Sequence, residues 1–117
     1  MRHQVKSTRI NRKANHLNAM LRNLATSVIL YEKVKTTEAK AKLVRPLVEK
    51  MITFAKKKEL STAIRELNQF FLDENATKKV TQELLERYKD RNSGFLRLTH
   101  KGFRAGDSAR IMQIELI

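Results

Sequence analysis

Apolar residues recur at helical spacing through most of this chain, and past Asn92-Ser93-Gly94 they switch to the alternation of strands. A chain patterned this way buries its apolar groups by laying helices on a small sheet. Leu17, Met20, Leu21, Leu24, Ala25 and Val28 mark a first helix over about residues 15–30, with Asn15 as its N-cap. Residues 31–37 then set Val34 and Thr36 around Lys35, which suits a short strand. Thr36 or Thr37 caps a second helix, whose buried face is Leu43, Leu47, Val48, Met51, Ile52 and Ala55. Lys56-Lys57-Lys58 lie at its negative end. Pro46 has no N–H for the carbonyl of Lys42 and disfavours helical geometry at Arg45, so a kink or a late helix start is expected there.

A third helix is predicted over residues 60–72 through Ala63, Ile64, Leu67, Phe70 and Phe71, the two aromatics serving as core. A fourth starts with Asn75 as cap and uses Val80, Leu84 and Leu85 before Tyr88. Residues 95–99 and 110–117 read as an antiparallel pair of strands, joined by a loop that holds Gly102 and Gly106. The expected fold is α+β: a two-layer α/β domain of order α-β-α-α-α-β-β, with a small mixed sheet covered by helices on one side. At 117 residues there is room for one core. It is assigned to residues 14–117, and residues 1–13 form an extended basic arm.

Charge divides the chain differently. Lys and Arg outnumber Asp and Glu by 25 to 12, a net charge of +13, which favours a polyanionic partner. The excess is concentrated at the ends. Residues 1–31 hold six cations and no acid, and residues 91–117 hold five cations against Asp107 and Glu115, whereas residues 32–90 mix fourteen basic with ten acidic groups. The arm has only Met1, Val5 and Ile10 as sizeable apolar groups, too few to offset the entropy of ordering it, so it is predicted to order only on RNA, the alternative being a frayed, solvated terminus with no target.

Arg2, Lys6, Arg9, Arg12 and Lys13 are the leading phosphate contacts, the arginines offering planar forks that bridge phosphate oxygens. Arg22 on the first helix either extends that surface or is a solvated helix charge. Arg97, Lys101, Arg104 and Arg110 surround Gly102 and Gly106, which let the backbone approach RNA or simply supply turn geometry. Asp107 is expected to fix this loop through backbone N–H groups, since no other carboxylate lies near it to share a metal. His3 and His16 join the RNA contacts. Together with His100 they lack the carboxylate or cysteine neighbours of a metal or catalytic site.

Other function classes find no support. The chain has no cysteine, no nucleotide-binding glycine loop, no nucleophile elbow and no zinc-protease motif, so neither an enzyme nor a cofactor is expected. Apolar runs such as Val28-Ile29-Leu30 are far too short to cross a bilayer, and no signal-peptide run is visible, which predicts a soluble cytoplasmic protein. Peripheral membrane binding is disfavoured because the first helix has few cations on its polar face.

Several stretches are similar to a bacterial large-subunit ribosomal protein family, number seventeen in the usual count. They include Met1-Arg2-His3, Asn11-Arg12, His16, Ala19-Met20 and Arg22-Asn23-Leu24-Ala25, then Thr36-Thr37, Ala39-Lys40-Ala41-Lys42 and Glu49-Lys50-Met51-Ile52-Thr53. Further on come Arg87-Tyr88-Lys89-Asp90-Arg91, Gly94, Arg97, Gly102, Arg104, Gly106-Asp107 and Ile114-Glu115-Leu116. Their order and spacing are kept over nearly the whole length. The resemblance implies the α-β-α-α-α-β-β order, a structural place in the large ribosomal subunit in the cytoplasm, and contact with large-subunit rRNA and neighbouring ribosomal proteins. It also implies a position near the nascent-chain exit, with no membrane and no small-molecule substrate. The competing reading is a free-standing regulator in which two of the central helices form a helix-turn-helix; that predicts base-reading cations on one helix, and the charge excess lies elsewhere.

Overall fold

A computed structural model describes residues 10–117 of the protein. Its elements follow the expected order: α1 (Ala14–Tyr31), β1 (Lys33–Thr37), α2 (Glu38–Lys57), α3 (Leu60–Phe70), α4 (Glu74–Lys79), a π-helical turn (Val80–Leu84), α5 (Leu85–Arg87), β2 (Leu96–Phe103) and β3 (Arg110–Leu116). The fourth predicted helix is thus one helical run with a wider turn inside it. Val80, Leu84 and Tyr88 all face the core. Their spacing of four is slightly too long for an α-helix, and one wider turn keeps the three in line.

Helices cover one face of a three-stranded sheet of order β1-β3-β2. The sheet is antiparallel throughout, which corrects the mixed sheet expected from the sequence. A mixed sheet would set β1 beside β2. Instead β3, the strand richest in apolar residues, takes the centre, and the charged strands bearing Lys33, Lys35, Arg97 and Lys101 take the edges, where charge guards unpaired backbone. On the helix side Leu96, Ile114 and Leu116 are buried. They meet Val28 and Ile29 of α1, Val44, Val48 and Ile52 of α2, Leu67 of α3 and Phe95 in one core. Phe95, fully buried against Tyr88 with ring centroids 5.0 Å apart, adds about 2 kcal/mol by burial alone. The Tyr88 hydroxyl donates to the carbonyl of Ile117 at 2.8 Å, and burial raises its pKa above the ordinary tyrosine value.

Helix ends depart from the sequence expectations in detail. The α1 N-cap position is Lys13, with no side-chain cap, and Thr37 occupies that position for α2, also without one. Asp73, not Asn75, caps α4: its carboxylate accepts from the Asn75 N–H at 2.8 Å. Helix α2 runs unbroken through Pro46, so it has no late start. Lys42, Arg45 and Pro46 all lie on its exposed side, where the carbonyl that Pro46 leaves unbonded faces water. Ile64 is exposed rather than part of the α3 core face, and Phe70 is only half-buried while Phe71 is buried.

A single residue, Glu32, joins α1 to β1. It adopts a left-handed conformation, φ 62°, at the C-terminus of α1, a position that glycine usually fills. Its backbone N–H bonds to Val28 at 3.0 Å and its carbonyl accepts from Leu116 at 2.9 Å, so the turn is tied to both layers.

Candidate nucleic-acid interface

The β2–β3 hairpin reaches past the end of β1, whose last residue, Thr37, pairs with Ile111. Its loop is built around one acid. Asp107 receives Nε and Nη2 of Arg104 at 3.0 and 2.6 Å and the N–H of Ala109 at 3.2 Å. Those bonds hold the Asp107 carboxyl at about 2, below its ordinary value, chiefly through Arg104. Backbone bonds from Arg104 to Ala109 and from Ser108 to Arg104 close the loop. Asp107 therefore fixes the turn through a backbone N–H, as the sequence suggested, and orients Arg104 as well. Arg110, opposite Phe103 in register, reaches Glu38 at the start of α2 across 3.6 Å. Glu38 is also paired with Lys42 at 2.8 Å, which lowers its pKa. Lys101 is exposed and forms no ion pair among the described residues.

The sheet face turned away from the helices continues this surface. Cross-strand rows place Lys33, Glu115 and Arg97 side by side, then Lys35, Gln113 and Thr99. Glu115 lies 3.9 Å from Lys33 and 3.7 Å from Arg97, one acid between two cations that stay mostly in solvent. Lys35 is exposed too. The sequence reading passed over Lys33 and Lys35; their alternation around Val34 was the available signal.

At the other basic segment, Arg12, Lys13 and His16 are exposed around the first turn of α1. That turn has no acid and no side-chain cap, so cations crowd the positive end of a helix dipole, a local charge that an anion relieves. Arg2, His3, Lys6 and Arg9 lie outside the described residues. Met20, Asn23, Leu24 and Ser27 of α1 line a shallow groove with Thr36 and Lys40, so α1 doubles back along β1. Its first turn and the hairpin tip consequently point beyond the same end of β1.

Arg22 has a different task. Its Nε and Nη2 donate to the carbonyls of Phe70 and Gln69 at 2.8 and 2.7 Å, capping the C-terminus of α3. One turn later Thr26 donates to Arg22 and accepts from the Leu72 N–H at 3.2 Å, so the pair pins the α3–α4 turn. Other central cations are used likewise. Lys79 bonds the Leu30 carbonyl and Glu32, Arg87 forks onto Glu32 at 3.2 and 3.0 Å, and Lys56 bonds the carbonyls of Tyr88 and Arg91 while lying over Phe95. The Arg87 and Lys79 bonds hold Glu32 at about 2, well under the usual carboxylate value.

Residues 20–117 match the family described as Ribosomal protein L17. The chain belongs to that family. Among its L17 relatives, the Large ribosomal subunit protein bL17 of Desulforudis audaxviator is 43% identical over 109 residues, covering 93% of this chain and 96% of its own length. Its counterpart from Petrotoga mobilis is 42% identical over 124 aligned positions, covering 100% of this chain and 97% of the relative. That of Hyphomonas neptunium is 42% identical over 117 residues and extends further, with 83% of it covered. Proteins of the L17 family are structural ribosomal proteins, not enzymes. Membership also removes the reason for a helix-turn-helix regulator, as does α3, whose only cation is Arg65.

Proposed function

We propose that the chain is a structural component of the bacterial large ribosomal subunit that binds and stabilises large-subunit rRNA, along one basic surface, and contacts neighbouring ribosomal proteins there. The surface joins the arm and first turn of α1 (Arg2, His3, Lys6, Arg9, Arg12, Lys13, His16) with the hairpin (Arg97, Lys101, Arg104, Arg110) and the outer sheet face (Lys33, Lys35). One observation carries this reading. Arg22, Lys56, Lys79 and Arg87 of the helical layer are engaged with the chain's own carbonyls and carboxylates, whereas Lys33, Lys35, Arg97, Lys101 and Arg110 of the sheet edges and hairpin are exposed. The protein neutralises phosphate repulsion where RNA segments converge, and RNA shape supplies most of the specificity.

Sedimentation tests this directly: the protein should travel with large subunits and withstand moderate salt washes. Failure to do so overturns the proposal. A chain lacking residues 1–13 should bind protein-free large-subunit rRNA more weakly, and log affinity should fall less steeply with log salt, by about 0.7 to 0.9 for each phosphate that the arm no longer neutralises. Unchanged affinity and slope would remove the arm from the interface. A place near the nascent-chain exit rests on the family resemblance; a photo-crosslinker carried on a stalled nascent chain should then label this protein.

A further inference from the structure

Phe103 is a large aromatic side chain, 65% exposed, at the mouth of the β2–β3 loop, which Lys101, Arg104 and Arg110 flank. Nothing in the core requires it there. Helix α2 begins at Glu38, just past the β1 end that the hairpin overshoots, and Phe103 stays mostly in solvent. Among the described residues only the His100 ring meets it, edge-on, with centroids 5.4 Å apart and planes at 68°.

That contact depends on a bulge. His100 and Phe103 are three residues apart and in regular pleating would point to opposite faces. The register slips between His100 and Gly102, with Lys101 as the extra residue, and both rings emerge on one face together with Arg110. Gly102 takes φ 111°, which suits glycine, and its N–H donates to His100 Nδ1 at 3.2 Å. This bond makes Nδ1 the acceptor, so in the neutral ring the proton is on Nε2. The tip therefore holds an exposed ring, an imidazole at its edge, Lys101 and Arg104 beside it in the chain and Arg110 opposite it in register.

We propose that Phe103 is a stacking platform for an unpaired RNA base, so that the hairpin seizes a looped or bulged nucleotide rather than the side of a duplex. Single-stranded RNA is held by aromatic faces set in basic surroundings, where bases stack and cations follow the backbone. Paired bases in a helix offer no free face to Phe103. The cations favour a polyanion over an apolar protein partner, for which they would add desolvation. This inference rests on the rRNA-binding reading above.

The test uses the full chain and protein-free large-subunit rRNA. Phe103→Leu keeps an apolar group of similar reach but removes the ring. It should weaken binding about tenfold, with an unchanged slope of affinity against salt, because stacking releases few ions. Phe103→Trp should restore affinity, and ultraviolet cross-linking should join nucleotide to the peptide that contains residue 103. Thermal melting should be the same for all three proteins, since the ring is exposed. If the wild type binds, Lys101→Ala flattens the slope and Phe103→Leu binds like wild type, stacking is wrong while the RNA reading stands. If the wild type does not bind rRNA at all, that underlying reading fails first. Should Phe103→Leu bind rRNA normally but fail to enter large subunits, Phe103 is an anchor for another protein and the proposal is overturned.

Discussion

Lys79 and Arg22 in the helical layer and Arg97 and Arg110 on the hairpin are the same residue types with opposite fates. Lys79, with 17% of its side chain exposed, bonds a helix carbonyl and Glu32, and Arg22 closes the end of α3. Arg97 and Arg110 each keep 62% of their side chains exposed and touch acids only at 3.6 to 3.7 Å. The difference is that a helix C-terminus, with its bare carbonyls and negative dipole end, consumes positive charge, whereas the edge of an antiparallel sheet has its backbone already paired on one side and leaves charge free. Net charge thus overstates what a partner can use.

The contrast is broken most easily at Arg22. Arg22→Ala should lower unfolding free energy by about 2 kcal/mol, because two carbonyls at the end of α3 lose a charged donor, and should leave the salt slope of RNA binding unchanged. Denaturant titration checks the first part and filter binding the second. A loss of RNA affinity with intact stability would move Arg22 to the outer set.

Glu32 gives a smaller effect with a pH signature. Its folded pKa of about 2 lies under the ordinary 4.5, so its contribution is fully present above 4.5 and is lost as pH falls toward 2. With a third of the side chain exposed, solvent screening reduces this to about 1 kcal/mol. Glu32→Gln should accordingly be less stable than wild type at neutral pH, and the difference should shrink between pH 4.5 and 2. A gap that does not change with pH would assign the effect to the left-handed backbone instead.

Lys101→Ala should have the smallest consequence for the fold, within about 0.5 kcal/mol by thermal melting. Its RNA affinity should nevertheless fall, with a salt slope shallower by about 0.7 to 0.9. A melting shift like that of Arg22→Ala would erase the distinction between the two sets.

Helix and strand order were legible because a change in period is local information, and so was the segregation of charge. What escaped depends on contacts distant in sequence. Arg22 looked like a surface charge since Phe70 and Gln69, which it caps, are more than forty positions away. Pro46 suggested a break because local rules do not know which side of α2 faces solvent. The central place of β3 is a choice among pairings that all satisfy alternation. Phe103 was visible as a residue, but the bulge that sets it beside His100 is a property of register, which sequence pattern alone does not fix.

The position of β3 between the other two strands also orders events during synthesis. β1 and β2 pair with β3 and not with each other, and β3 follows both in the chain. Helices α1 to α5 are made of local bonds and can form as the chain emerges, while both edge strands must wait without partners until residues 110–116 appear. Throughout that interval the future sheet is a pair of unzipped edges, and the lysines and arginines that later serve the surface, Lys33, Lys35, Arg97 and Lys101, are what keep those edges from finding the wrong strand.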